Sequence, residues 1–352
     1  MNRLPCYLYK NGVDFSLPPV MDIVPWSSMA PPRNLVLMAD GDTEPGFYFS
    51  NPEYFVEVPP EEAEIFLFPF DLNPLVNLMS PGEMAAFMRG LPYFSGRERR
   101  HVFMDMGDKS AYAPLPVLLC KCSLLASFGD AAPALPFLYR GEGDDSPSCI
   151  PMPYMVPPHV LADRPDFNFS RIRYDCSFVG GFNHIIRNAA CASVAHEPDV
   201  RFFDGSFESI ESGDTGFYIV RTFPQEETAR RQELFRRVTK DSLMVLCPPG
   251  IGPQSFRFYE TLYYGRIPVL FTQAVRYPLE HLIEYDAFSF RIALEDVLET
   301  GRILKRILHE HSKEDMHERC VRACKTWNAF FREEVFFARL FTMIREYLQS
   351  GV

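Results

Sequence analysis

Short apolar runs bounded by proline, glycine or charged residues recur along the whole chain, and between several of them lie segments whose apolar residues return at helical spacing. In the first part, NLVLMA (34–39), AEIFLFPF (63–70), RHVFMDM (100–106) and PVLLCKCSLLASF (116–128) read as strands buried on both faces, as in parallel sheets. EMAAFMRGLPYF (83–94) reads as the clearest helix of this half. From 147 to 166 the chain carries six prolines and no periodicity, which predicts a linker. Beyond it, DCSFVGG, VRFFDG, FYIVRTF, LMVLCP and RIPVLF alternate with the helical segments NHIIRNAACASVAH, QEETARRQELFRRVTKDS and SFRFYETLYYG. Such alternation is the mark of parallel βαβ units with right-handed crossovers. The tail from about 295 to 350 is helical and has no internal repeat.

A chain of 352 residues exceeds what one core usually holds, so the expected fold class is α/β with two Rossmann-like lobes. The lobes are placed at 1–155 and 156–327, with a helix at 328–352 bracing them. A composition 47% hydrophobic excludes a disordered chain. The net charge of −11 argues against a nucleic-acid-coating surface. It is unevenly shared: residues 1–165 carry 11 basic against 20 acidic side chains, the remainder 24 against 26. An anion site therefore belongs more naturally in the second half. Nine cysteines without a regular framework suggest free thiols in a reducing compartment. The opening MNRLPCYLYKNGVDF lacks the apolar core of a signal peptide, and no apolar run is long enough for a membrane span, so a cytoplasmic protein is expected.

The densest chemistry lies in LCPPGIGPQSFRFYETLYYGRIPVLF (246–271), read as strand, turn, helix and strand. Ser255 stands where an N-cap belongs and Gly265 where a C′ glycine belongs. Ligands gather at the carboxyl ends of strands in an open parallel sheet, where a glycine-containing loop brings backbone N–H groups to a phosphate. Pro248, Gly250, Gly252, Ser255 and Phe256 are accordingly assigned to an anion site. Arg257 and Glu260, three apart, share a helix face; a guanidinium suits a phosphate and a carboxylate suits a ribose diol. The two could equally form only a surface salt bridge, worth about 0–1 kcal/mol. Gly180 and Gly181 precede a helix bearing Arg187 in the same manner, with close strand–helix packing as the alternative. Arg221, after FYIV, could reach a base or phosphate or simply be a solvated strand-end arginine.

The stretch SLMVLCPPGIGPQSFRFYETLYYGRIPVLF closely resembles the signature of the exostosin family of glycosyltransferases, in which a strand, a glycine turn, S-x-R-x-x-E/D and G-x-I-P-V follow in order. AEIFLFPF, LPYFSGRERRHVFMDMGDKS, RYDCSFVGGFNHIIRNA and YPLEHLIEYDAFSFRI resemble further exostosin blocks in the family's order, together spanning most of residues 60–295. The front departs from animal and plant members, whose anchor and stem are missing, and MDMGDKS matches only part of the pattern. The resemblance implies a two-lobed GT-B glycosyltransferase with a central crevice. A UDP-sugar donor would lie in the carboxyl-terminal lobe and a glycan acceptor in the amino-terminal one, with inversion at the anomeric carbon and no obligatory metal or cofactor. Arg257, Arg187 and the turn N–H groups would then supply the positive charge.

Inverting transfer needs a base for the acceptor proton. Asp71, ending the strand in FPFDLNP, is the first choice, Asp108 the second, and Asp105 a third closer to a strand interior. Asp71 could also be a plain turn or helix cap. Asp40-Gly41-Asp42 resembles the metal-binding D-x-D of the other large glycosyltransferase architecture but is better read as a polar turn. His309, His311, His317, Cys320 and Cys324 lack the paired C-x-x-C elements of a zinc site, so no metal site is assigned. A non-catalytic nucleotide- or glycan-binding module of the same fold is the alternative function; a hydrolase is disfavoured by the lack of a G-x-S-x-G elbow.

Overall fold

The computed structural model describes residues 3–9, 13–15, 54–72, 75, 79–105, 114–122, 124–125, 135–141, 146–154, 156–165, 167–182, 184–208, 210–212, 218–220, 223–250, 253–272 and 275–351. Two compact units emerge. The first takes Met1–Tyr154, Ala274–Leu282 and Glu333–Val352, the second Met155–Gln273 and Ile283–Arg332. Both are α/β, built on mainly parallel sheets.

In the first unit the strands are β1 (Leu4–Leu8), β2 (Phe55–Glu57), β3 (Ile65–Asp71), β4 (His101–Asp105), β5 (Leu118–Lys121), β6 (Leu124–Leu125), β7 (Tyr139–Arg140) and β8 (Ser148–Pro151). Seven of them form a sheet in the order β2-β1-β3-β4-β5-β8-β7, parallel except where β7 meets β8. β4 and β5 are buried throughout, as their unbroken apolar pattern predicts. Between β3 and β4 runs α1 (Pro81–Arg89), started by a capping box in which Ser80 and Glu83 satisfy each other's backbone N–H groups. Its Met84 and Met88 pack on Phe66, Phe68, Phe103 and Leu119 of the sheet. Strand β1 is absent from the sequence reading; in LPCYL the buried Leu4, Cys6 and Leu8 alternate with half-buried Pro5 and Tyr7. The expected strand at 34–39 lies outside the described residues.

The second unit runs through β9 (Tyr174–Phe182), α2 (Ile185–Ala195), β10 (Phe202–Glu208), β11 (Ile210–Ser212), β12 (Tyr218–Val220), α3 (Gln225–Lys240), β13 (Ser242–Cys247), α4 (Phe256–Tyr263) and β14 (Ile267–Thr272). The chain visits the first unit for β15 (Val275–Arg276), antiparallel to β6, and returns for β16 (Phe290–Ala293), α5 (Thr300–Glu310) and α6 (Lys313–Thr326). Five strands form a wholly parallel sheet, β10-β9-β13-β14-β16. The FYIV segment differs from its sequence reading as a sheet strand: Tyr218–Val220 pairs antiparallel with β11 in a separate two-stranded ribbon. The nearby β11 supplies its backbone partners locally.

Six of the eight residues of α4 are buried, so this short helix is held by packing rather than propensity. Tyr263 stands 4.9 Å from Trp327, in the single π-helical turn Trp327–Phe331, and Tyr259 stands 5.3 Å from Phe331. Each such large side chain contributes roughly 1.5–3 kcal/mol by leaving water. Gly265 follows at φ 62°, as a C′ glycine should. The final helix, α7 (Glu333–Ser350), belongs to the first unit, where Phe341 meets Phe55 at 4.3 Å. No helix among the described residues is long and apolar enough to cross a membrane.

Candidate functional site

Four segments of the second unit converge: the end of β9, the start of α2, the turn after β13 and the first turn of α4. Gly180 and Gly181 are in the last third of β9, and Arg187 is in the first turn of α2. Arg187 is buried; its Nη1 donates to the Gly181 carbonyl at 2.8 Å and its Nε to the Pro249 carbonyl at 3.0 Å. Pro248 and Gly250, flanking Pro249, are buried as well. Arg257, one residue into α4, donates through Nε to the Val179 carbonyl at 2.5 Å. Its Cζ lies 5.3 Å from the Phe178 ring and 5.9 Å from the Phe235 ring. The guanidinium rests on Gly180: a Cβ there would fall 2.1 Å from Nη2. A side chain there would displace the guanidinium, which explains the first of the two glycines more specifically than chain flexibility does.

With Nε so held, the terminal amino groups of Arg257 have no acceptor among the described residues. Ser255 occupies the N-cap of α4, yet its Oγ makes no capping bond and, although buried, has no hydrogen-bond partner. A hydroxyl in that position normally closes on the helix amides. Phe256 follows it as the first helical residue. Glu260, one turn on from Arg257, is buried, so the pair is not a surface salt bridge. Burial pushes its carboxyl up to about 7, with Arg257 acting in the opposite direction. Burial likewise holds the Arg257 guanidinium below its ordinary value, opposed by Glu260. The cluster therefore presents a cation, an unpaired hydroxyl, a helix N-terminus and a carboxyl group within two turns of one helix. It can bind an anion and accept hydrogen bonds from hydroxyls.

Sequence reasoning missed the parts that fix Arg257: the Val179 carbonyl and the Phe178 and Phe235 rings. Only Phe235 carried a signal, as an inward position of an amphipathic helix, and it is buried. His184 was also missed; it is the N-cap of α2, its Nδ1 accepting from the Ile186 N–H at 3.3 Å.

In the first unit, Asp71 is the last residue of β3, opposite Met104. Asp105 is almost fully buried and accepts from Lys121 Nζ at 3.0 Å. Asp108, Arg221, Gly252 and Asp40-Gly41-Asp42 lie outside the described residues. The histidine and cysteine cluster is spread over separate tasks. His311 pairs with Asp315 at 2.6 Å, His317 lies against Phe169, and Cys320 is in the core. Among the described residues no three His, Cys, Asp or Glu side chains are placed to hold a metal. All nine cysteines are free and buried, and burial pushes thiols such as Cys247 up to about 12.

Comparison with known proteins places the same segments in context. Residues 177–307 match the Exostosin GT47 domain family. A probable glucuronoxylan glucuronosyltransferase, IRX7, of Arabidopsis thaliana is 30% identical over 95 residues, which is 27% of this chain. The matched stretch spans only 19% of that relative. Among solved structures, AviGT4, a glycosyltransferase involved in avilamycin A biosynthesis, aligns over 90% of this chain and 81% of its own at 13% identity and a TM-score of 0.40. TarM aligns over 72% and 57% at 9% identity and a TM-score of 0.39. Residues 177–307 contain every described element of the candidate cluster, from Val179 to Glu260.

Proposed function

From a second unit that is exostosin-like, we propose that the protein is an inverting glycosyltransferase of the B architecture, moving a sugar from a UDP-sugar to a glycan or polysaccharide acceptor. The observation that carries the reading is Arg257, seated on Gly180 and held by Val179: its terminal amino groups have no acceptor among the described residues, nor does the buried Ser255 hydroxyl, two residues earlier at the N-cap of α4, have a partner there. In this reading Arg257 and the α4 amides take up the charge of the departing diphosphate, and Glu260 accepts hydrogen bonds from the ribose hydroxyls. Positive charge from arginine and backbone dipoles replaces a metal ion. Asp71 removes the acceptor proton, or Asp108 in its place.

The name of the Arabidopsis relative makes UDP-glucuronic acid the first donor to try. Calorimetry against a panel of UDP- and GDP-sugars, followed by turnover in excess chelator, tests the reading. UDP binding with chelator-resistant release of UDP supports it. Binding without any turnover would leave the non-catalytic module, and an absolute requirement for manganese or magnesium would overturn metal independence.

A further inference from the structure

Arg187 and Arg257 resemble each other in sequence, each following a glycine-bearing strand end, yet the structure uses them differently. The terminal amino groups of Arg257 have no acceptor among the described residues. Arg187 commits its Nη1 and its Nε to two backbone carbonyls from different segments, Gly181 at the end of β9 and Pro249 in the turn before α4. β9 and β13 are neighbours, but their ladder ends at the pair Ser177 and Val245. Beyond that rung β9 continues to Phe182 and β13 to Cys247, and the turns that follow have no shared register. The Arg187 guanidinium crosses the interval where the backbone ladder has stopped. It does so from a buried position, where each charge-assisted bond is worth more than at the surface.

We infer that Arg187 is a positioning residue that clamps the two glycine turns of the candidate site together and acts on a bound nucleotide through Arg257, not through its own contact with phosphate. Gly181 is bonded to Arg187, and the adjacent Gly180 is the surface on which Arg257 rests. The Phe178 ring is common to both guanidinium groups, 6.0 Å from Arg187 Cζ and 5.3 Å from Arg257 Cζ. Movement of the β9 end is thereby transmitted to Arg257 directly. This rests on the proposed donor site for its consequence, but the clamp itself is a property of the protein without ligand.

Lysine separates the two roles. An ammonium is a serviceable phosphate ligand, whereas it is a point donor that does not reproduce a planar fork bonded to two carbonyls at once. Hydrogen exchange of the ligand-free protein is read in peptides covering 179–184 and 246–254, with the β14 strand as a folding control. Arg187→Lys is expected to raise exchange in both peptides together, by roughly ten- to hundredfold for the one charge-assisted bond that a point donor cannot replace, and to weaken UDP binding in calorimetry by a similar factor. Arg257→Lys, which gives up only the bond to the Val179 carbonyl, is expected to leave the ligand-free exchange of 246–254 unchanged. Should Arg187→Lys lose the β14 control as well, Arg187→Gln is read in the same way. Wild-type protection of either peptide in a folded Arg187→Lys protein, or near wild-type UDP affinity in it, overturns the clamp. Failure of the wild-type protein to bind UDP overturns the donor-site reading, while the exchange measurement still decides the clamp.

Discussion

Placing one methyl group on Gly180 tests the donor site without touching a side chain that would contact nucleotide. A Cβ at this position would lie 2.1 Å from Arg257 Nη2, 2.5 Å from Cζ and 2.9 Å from Nε, all inside contact distance. The guanidinium is the end of a flexible chain, so it moves and the strand survives. Room to move is small: Nε is tied to the Val179 carbonyl, and the Phe178 and Phe235 rings stand 5.3 and 5.9 Å from Cζ. Displacement forfeits that bond and the orientation of the terminal amino groups. A hydrogen bond to a charged group is worth about 1.5–3 kcal/mol, so UDP affinity of Gly180→Ala should fall by roughly ten- to hundredfold. Arg257→Ala should show a loss of the same size. In the double variant the methyl group occupies space that the arginine has left, so Gly180→Ala should cost nothing further there, and the pair should be strongly non-additive. The assay is calorimetric UDP binding across the four proteins of the cycle, with thermal unfolding to confirm the fold. Unchanged UDP affinity in Gly180→Ala, or two losses that simply add, would refute the contact as the reason for the glycine.

Glu260 sets a pH dependence. Its folded pKa of about 7 lies above the ordinary 4.5, so the stability it contributes is complete below the unfolded value and is lost as pH rises through about 7. Glu260→Gln should therefore gain on the wild type between pH 5 and pH 8, by on the order of 1–3 kcal/mol. Thermal unfolding at several pH values measures this, and a gap that does not change with pH excludes it. Asp71→Asn should leave UDP binding intact and lower kcat by roughly 10²- to 10⁴-fold; near-normal turnover there with loss in Asp108→Asn moves the role to Asp108. Lys121→Met should destabilise the first unit by about 3–5 kcal/mol in urea unfolding, because it removes the cationic partner of the buried Asp105 carboxylate. A loss below about 1 kcal/mol would show that the pair is not what holds these strand ends.

The parts legible in the sequence are those governed by neighbours along the chain. The alternation of β9, α2, β13, α4 and β14 follows from local apolar periodicity, and Ser255 and Gly265 mark the ends of α4 because cap positions obey local backbone geometry. Burial of Glu260 was not legible, since its spacing from Arg257 suits a surface pair equally well. Nor was the difference between the two arginines. Arg187 meets Pro249, and Arg257 meets Val179, across separations of more than sixty residues, and both contacts use backbone carbonyls that no residue type announces. The FYIV segment misled because four apolar residues look alike in a parallel sheet and in a ribbon. β1 was not legible because LPCYL is only five residues long and carries a proline, which demotes a short apolar run as a strand.

The first unit is discontinuous, assembled from the beginning of the chain, a nine-residue visit at Ala274–Leu282 and the final helix. Its Phe55 and Tyr54 find their ring partner, Phe341, almost three hundred residues later. During synthesis, then, the part made first must wait for the part made last. The second unit ends at Arg332 and has every one of its strands before the ribosome reaches α7, so the order of maturation runs opposite to the order of translation. A nascent chain halted anywhere short of Phe341 would present an unfinished amino-terminal half beside a finished neighbour.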